Sequence, residues 1–152
     1  MPKSRQQGLA LVELAVSITF LMAVVFGITE FGRAIYQYDT LTKAARDATR
    51  FLSTRAPGDS ASIATATCLA VYGTPSCSGT PVVQGLATSM VSVCDAVSCP
   101  ASNQAQGSAP VQNFVTLTIG GTANPFTFVS LMPTVVPNIP FGPISVTMRQ
   151  VL

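Results

Sequence analysis

Residues 9–28, LALVELAVSITFLMAVVFGI, decide the architecture, together with residues 31–55, FGRAIYQYDTLTKAARDATRFLSTR, into which they pass without a break. The first stretch carries a single charge, Glu13. As a helix it spans about 30 Å, the thickness of a bilayer's hydrocarbon core. In the second stretch Phe31, Ile35, Tyr38, Leu41, Ala45, Ala48 and Leu52 recur at steps of three and four, the spacing of one helix face. Asp39–Lys43 and Lys43–Asp47 place opposite charges four residues apart on another face. No proline lies between Pro2 and Pro57, and Ala56-Pro57-Gly58-Asp59 reads as a stop. The pattern predicts one continuous helix of about 45 residues, half in a membrane and half outside it.

The termini of the apolar run give its expected orientation. Lys3 and Arg5 precede it, which places the N-terminus in the cytoplasm and everything after Ile28 on the other side. An ordinary secretory signal has a shorter apolar core followed by a small-residue cleavage site. The run here is longer and simply continues as helix. A carboxylate at membrane depth costs about 2.5–3.5 kcal/mol at the helix centre, so an inert anchor has no reason to carry Glu13. Gly8 directly precedes the run, making Glu13 the fifth residue after that glycine. Thr19, Ala23 and Gly27 form a small-residue column on which another helix can approach closely.

Composition narrows the function classes. The chain has 152 residues, of which 9% are charged, against about 25% in an ordinary soluble protein. Between Ser60 and Met148 the sole charge is Asp95, which reads as a solvated loop residue. A net charge of +2, with seven of its eight basic residues before Asp59, leaves no basic patch for nucleic acid on the C-terminal part. Histidine is absent, removing the commonest general base and metal ligand. There is no phosphate-binding loop and no paired carboxylate site. Neither an enzyme, a cofactor, a metal site nor a small-molecule substrate is therefore expected.

Beyond Pro57 the expected architecture is a small antiparallel sheet packed on the outer half of the helix, an α+β fold. Residues 60–72, SASIATATCLAVY, read as a short helix capped by Asp59 or Ser60 and ended by Gly73. Met90 to Val97 alternates in part. Ser98 to Pro110 has loop composition. Phe114 to Ile119 is the clearest strand, Gly120-Gly121 a turn, Phe126 to Leu131 a return, Pro133 to Pro143 extended loop, and Ile144 to Met148 a last strand. Cys68 and Cys77 are separated by eight residues, Cys94 and Cys99 by four, and the wider spacing misses that of metal knuckles. All four fall on the side where disulfides persist. Local pairs Cys68–Cys77 and Cys94–Cys99 are favoured, with Cys68–Cys99 and Cys77–Cys94 as the competing set and unpaired thiols as the remaining alternative.

The leader and helix resemble a type IV prepilin signal, in which a short basic leader ends in Gly, an apolar helix follows, and Glu occupies the fifth mature position. More narrowly, Glu13, Glu30-Phe31-Gly32-Arg33 and Ala44-Ala45-Arg46-Asp47-Ala48-Thr49-Arg50 resemble the TadE-like pseudopilins of the Tad (tight adherence, Flp-type) pilus system. The resemblance is specific over roughly residues 5 to 55 and looser beyond. Two features depart from it: Leu9 stands where type IV pilins usually have Phe, and the four cysteines lie outside the family pattern. The resemblance implies a leader over residues 1–8, cleavage by prepilin peptidase between Gly8 and Leu9, and a transmembrane helix over 9–29. It further implies an extracytoplasmic continuation over 30–56 and a C-terminal domain over 57–152. Other pilins or pseudopilins and the bacterial inner membrane are the implied partners, with Glu13 as the assembly residue. The competing expectation is a signal-anchored periplasmic binding or scaffold protein whose leader is never cut.

Overall fold

In the computed structural model, residues 3–105, 112–134 and 136–151 are described. Helix α1 runs unbroken over Lys3–Ser53, about 76 Å at the usual rise. A helix is the one open chain segment that satisfies its own backbone groups in lipid, and nothing from Gly8 to Ser53 interrupts it. Two hydroxyls in and just beyond the apolar run bond back to the helix itself. Thr19 donates to the Ala15 carbonyl at 2.8 Å and Thr29 to that of Phe26 at 2.9 Å, so neither leaves an unpaired donor on an apolar surface.

The remaining elements are α2 (Ser60–Tyr72), a 3-10 turn (Thr88–Met90), β1 (Val91–Cys94), α3 (Pro100–Asn103), β2 (Gln104–Ala105), β3 (Gln112–Ile119), β4 (Thr127–Phe128), β5 (Ile139–Pro140) and β6 (Ile144–Arg149). The fold is α+β: a long apolar N-terminal helix followed by a small antiparallel sheet. Strand β3 is shared, pairing antiparallel with β1 (Val93 opposite Leu117), with β6 (Leu117 opposite Val146) and with β2 (Gln104 opposite Asn113). Alternation sends Val115, Leu117 and Ile119 inward. On the other face Thr116 bonds Thr147 at 2.9 Å and Thr118 bonds Ser145 at 2.8 Å, cross-strand hydroxyl pairs that suit a solvated surface.

The core lies between the inner face of β3 and β6, the outer half of α1, and α2. It contains Leu41, Ala45, Ala48 and Leu52 from α1, Ala66, Ala70 and Val71 from α2, and Val115, Leu117, Ile119 and Ile144 from the sheet. Helix α2 begins as expected: the Asp59 carboxylate accepts from Ala61 N–H, and Gly73 closes it in the left-handed conformation (φ 70°). Gly120 has a similar need. Its φ is +70°, and an added Cβ would lie 3.0 Å from the Phe126 backbone nitrogen.

Three expectations about local structure differ from what is seen. Phe31, Ile35 and Tyr38 are exposed, and the buried stripe below Leu41 runs through Ala34 and Glu30 instead. At 100° per residue Glu30 lies about 20° from Leu41 around the helix, whereas Phe31 lies about 80° and Ile35 about 120° away. Counting steps of three and four had let the stripe drift. The second difference is in residues 126–140, where β4 does not return along β3 but pairs with β5 inside the expected proline loop, Phe128 opposite Ile139. Phe126, Phe128 and Phe141 pack together there, with Tyr38 edge-on to Phe141 at 5.7 Å. The third is the 98–110 loop, which folds into α3 and β2 over its described part; residues 106–110 lie outside the described residues.

The revised stripe has a measurable consequence. Leu41→Ala should destabilise the outer domain by about 2–5 kcal/mol, and Phe31→Ala by no more than about 0.5 kcal/mol. Urea unfolding of detergent-solubilised protein, followed by near-ultraviolet circular dichroism, measures both. Equal effects would place Phe31 in the core after all.

Candidate functional site

Two parts of α1 carry groups whose position needs a functional explanation. The first is its N-terminal part. Leu9, Leu11, Val12, Leu14, Val16, Ile18 and Phe20 are all exposed, as are the apolar residues that follow to Ile28. No part of the most apolar window of this helix is buried within the chain. Glu13 is exposed too, and with Leu9, Val12, Val16 and Ser17 it lines a shallow hollow on the helix surface. Leu9 and Glu13 are one turn apart on that face. Thr19 and Ala23 line a second hollow with Ala15, Val16 and Phe20, while Gly27, the third member of the small-residue column, is half-buried. A chain with this much unpartnered apolar surface requires lipid or other helices around it.

The second part lies immediately after the apolar run. Glu30 is buried, and its Oε2 accepts from Arg33 Nη2 at 2.8 Å and from the Leu131 N–H at 3.2 Å. The same Arg33 Nη2 donates to the Val129 carbonyl at 2.7 Å, and the guanidinium lies over the Phe128 ring at 4.7 Å. The Arg33 hydrogen bond holds the Glu30 carboxyl below the usual carboxylate range, outweighing the opposing effect of burial, and the Leu131 N–H adds to it. This i,i+3 pair ties the segment after β4 to the helix just above the apolar run. In the sequence these two residues stood out only as part of the family likeness. The role of the pair depends on a loop a hundred residues away, which no local pattern reveals.

At the other end of the domain Asp95 is not a solvated loop residue. It is 2% exposed. Its Oδ2 accepts from Gly58 N–H at 2.7 Å, and its Oδ1 from Val97 N–H, Ser98 N–H and the Ser98 hydroxyl at 3.0, 2.8 and 2.9 Å. Burial by itself pushes the carboxyl up, but the donors from Ser98, Gly58 and Val97 win and hold it below its ordinary value. The signal in the sequence was Asp95-Ala96-Val97-Ser98, a side chain able to accept from backbone two and three residues on. The partner from Gly58 was not foreseeable. The cysteines are joined as Cys68–Cys77 and Cys94–Cys99, and the second bridge closes the loop that Asp95 organises.

With this geometry in view, comparison with known families is informative. The family described as TadE-like protein matches residues 8–50. Over these residues, about a quarter of the chain, the sequence is similar to that family. The match starts at Gly8 and includes Glu13, Glu30 and Arg33, so both parts of α1 described above fall inside the TadE-like segment. The sheet and both disulfides lie beyond it. No curated protein and no solved structure matched the chain.

The lowered carboxyls of Asp95, Asp59 and Glu30 fix the sign of the pH dependence. Each is more acidic folded than unfolded, so its contribution is complete above the unfolded value and is lost as pH falls through the folded one. Domain stability should be level from neutral pH to about 5 and decline below about 4. In Asp95→Ala, stability at neutral pH should fall by on the order of 3 kcal/mol, because three backbone N–H groups lose their acceptor, and the acid decline should be shallower. An unchanged acid profile would mean that Asp95 is not among the groups that set it.

Proposed function

We propose that this chain is a minor, TadE-like pseudopilin that takes part in assembling an adhesive Tad pilus. It is made as an inner-membrane precursor, cut by prepilin peptidase between Gly8 and Leu9, and used as a structural subunit rather than an enzyme. The observation that carries this reading is the start of the TadE-like match at Gly8, with Glu13 fifth after it on a helix whose apolar surface has no partner among the described residues. Lys3 and Arg5 put the leader on the cytoplasmic side, and the disulfide-bonded domain then lies in the periplasm, where such bonds persist.

Cleavage supplies the chemistry that assembly uses. It leaves a protonated amine on Leu9, one turn and about 6 Å of helix rise before Glu13. Within a bundle of apolar helices either charge alone is costly, and each neutralises the other when one subunit's carboxylate meets its neighbour's amine. Only a stagger of about one turn aligns the two groups. The pair thus selects an axial register among the many that apolar surfaces tolerate equally.

In Glu13→Ala, insertion and removal of residues 1–8 should proceed as in the parent chain, while incorporation into assemblies falls several-fold. Sheared-surface fractions compared with inner-membrane fractions give the ratio. Normal incorporation of that variant would refute the pairing role.

A further inference from the structure

The outer domain does not stand clear of the membrane end of its helix. Three contacts follow one another down α1. Phe141 meets Tyr38, the Phe128 ring lies under Arg33, and the Leu131 N–H donates to Glu30. The helix positions fall from 38 to 33 to 30, so the segment around β4 descends toward the helix N-terminus. Glu30 is two residues past Ile28, about 3 Å of rise beyond the apolar run. The headgroup layer on each side of a bilayer is roughly 5–7 Å thick. If residues 9–28 fill the hydrocarbon, the point at which this loop is clamped falls inside the headgroup layer.

The loop side chains presented there are apolar, beside the half-buried Arg33. Val129 is 65% and Leu131 75% exposed, and Ile28 and Phe31 of the adjoining helix turns are exposed as well. No charged residue occurs in the chain between Asp95 and Arg149. The Glu30–Arg33 pair, its carboxylate buried and its guanidinium half-buried, holds the backbone of both loop residues and so imposes their exposure. An uncharged tip fixed at headgroup depth is continuous with the apolar surface of the span, and a bilayer covers both at once.

We propose that the loop after β4, through Val129 and Leu131, is a second membrane contact that inserts into the interfacial layer of the leaflet on the domain's side. This rests on residues 9–29 spanning that bilayer. Because the loop lies on one side of α1, its insertion fixes the rotation of the helix about its own axis. It thereby sets which face, including Glu13, the subunit offers to its neighbours before assembly.

The chain has no tryptophan, so single-tryptophan variants report position directly. Full-length L131W, V129W, F20W and V97W are reconstituted in phosphatidylethanolamine–phosphatidylglycerol vesicles without bromine, with bromine on the acyl chains near the headgroup, and with bromine deep in the chains. Phe20 lies in the span, and Val97 packs against Gly58 beyond the far end of α1. The proposal expects L131W and V129W emission to be blue-shifted and quenched by brominated lipid, and V97W emission to be neither. If F20W is quenched while L131W and V129W behave like V97W, the loop contact is wrong and the span stands. If F20W is also unquenched, the span reading fails and the proposal falls with it. A blue shift of L131W that ignores brominated lipid and grows with protein-to-lipid ratio would assign the loop to a second copy of the chain and overturn the lipid contact.

Discussion

One uninterrupted helix carries two unlike surfaces. From Leu9 to Ile28 it is apolar all round with every backbone bond made internally, which fits a membrane anchor. From about Glu30 to Leu52 it lends one stripe to a domain that otherwise has little core of its own. The sheet is small: β3 supplies three inward residues, Val115, Leu117 and Ile119, and they close on Leu41, Ala45, Ala48 and Leu52 of the helix. Ala45 and Ala48 matter for their size, because short side chains bring the helix axis close to the sheet and α2. The domain is therefore built onto the anchor, and whatever moves the helix along its axis moves the domain with it.

A domain with so few charges uses them at its boundaries. Glu30–Arg33 ties the β4 loop to the lower end of the helix stripe, and Asp95 ties the turn at Gly58 to the Cys94–Cys99 loop at the upper end. Between them the C-terminal strand finishes α1. Val151 N–H donates to the Ser53 carbonyl at 2.9 Å, and Gln150 Nε2 to that of Arg55 at 3.2 Å, which supplies partners to carbonyls a helix end leaves open. The last residues of the chain thus bond to the end of the first element, so the whole domain closes around the top of α1.

The sequence was legible where the pattern is local and strong. The apolar run, the absence of proline to residue 57, the Asp59 cap, the Gly73 stop and the alternation of 114–119 all follow from neighbours within a few positions. The α+β architecture rests on those elements and on the TadE-like residues from Gly8 to Arg50. The stripe through Ala34 and Glu30 was misread because steps of three and four overran the helical period from Leu41. The other misreadings depend on partners distant in the chain. Asp95 is buried because Gly58 reaches it, and β4 finds β5 rather than β3 because three phenylalanines pack there. Glu30 and Arg33 were visible as part of the family likeness, but not as a tie to residues 129–131.

The proposed pairing requires that the Gly8–Leu9 bond be cut, since only then would a free Leu9 amine be there for Glu13 to meet. Intact mass of the chain purified from membranes, with and without an active prepilin peptidase, tests this directly. A peptidase-dependent loss of residues 1–8, with the apolar helix retained, is the predicted result. A chain that keeps its N-terminus under both conditions would contradict the account and leave an unprocessed, signal-anchored periplasmic protein in its place.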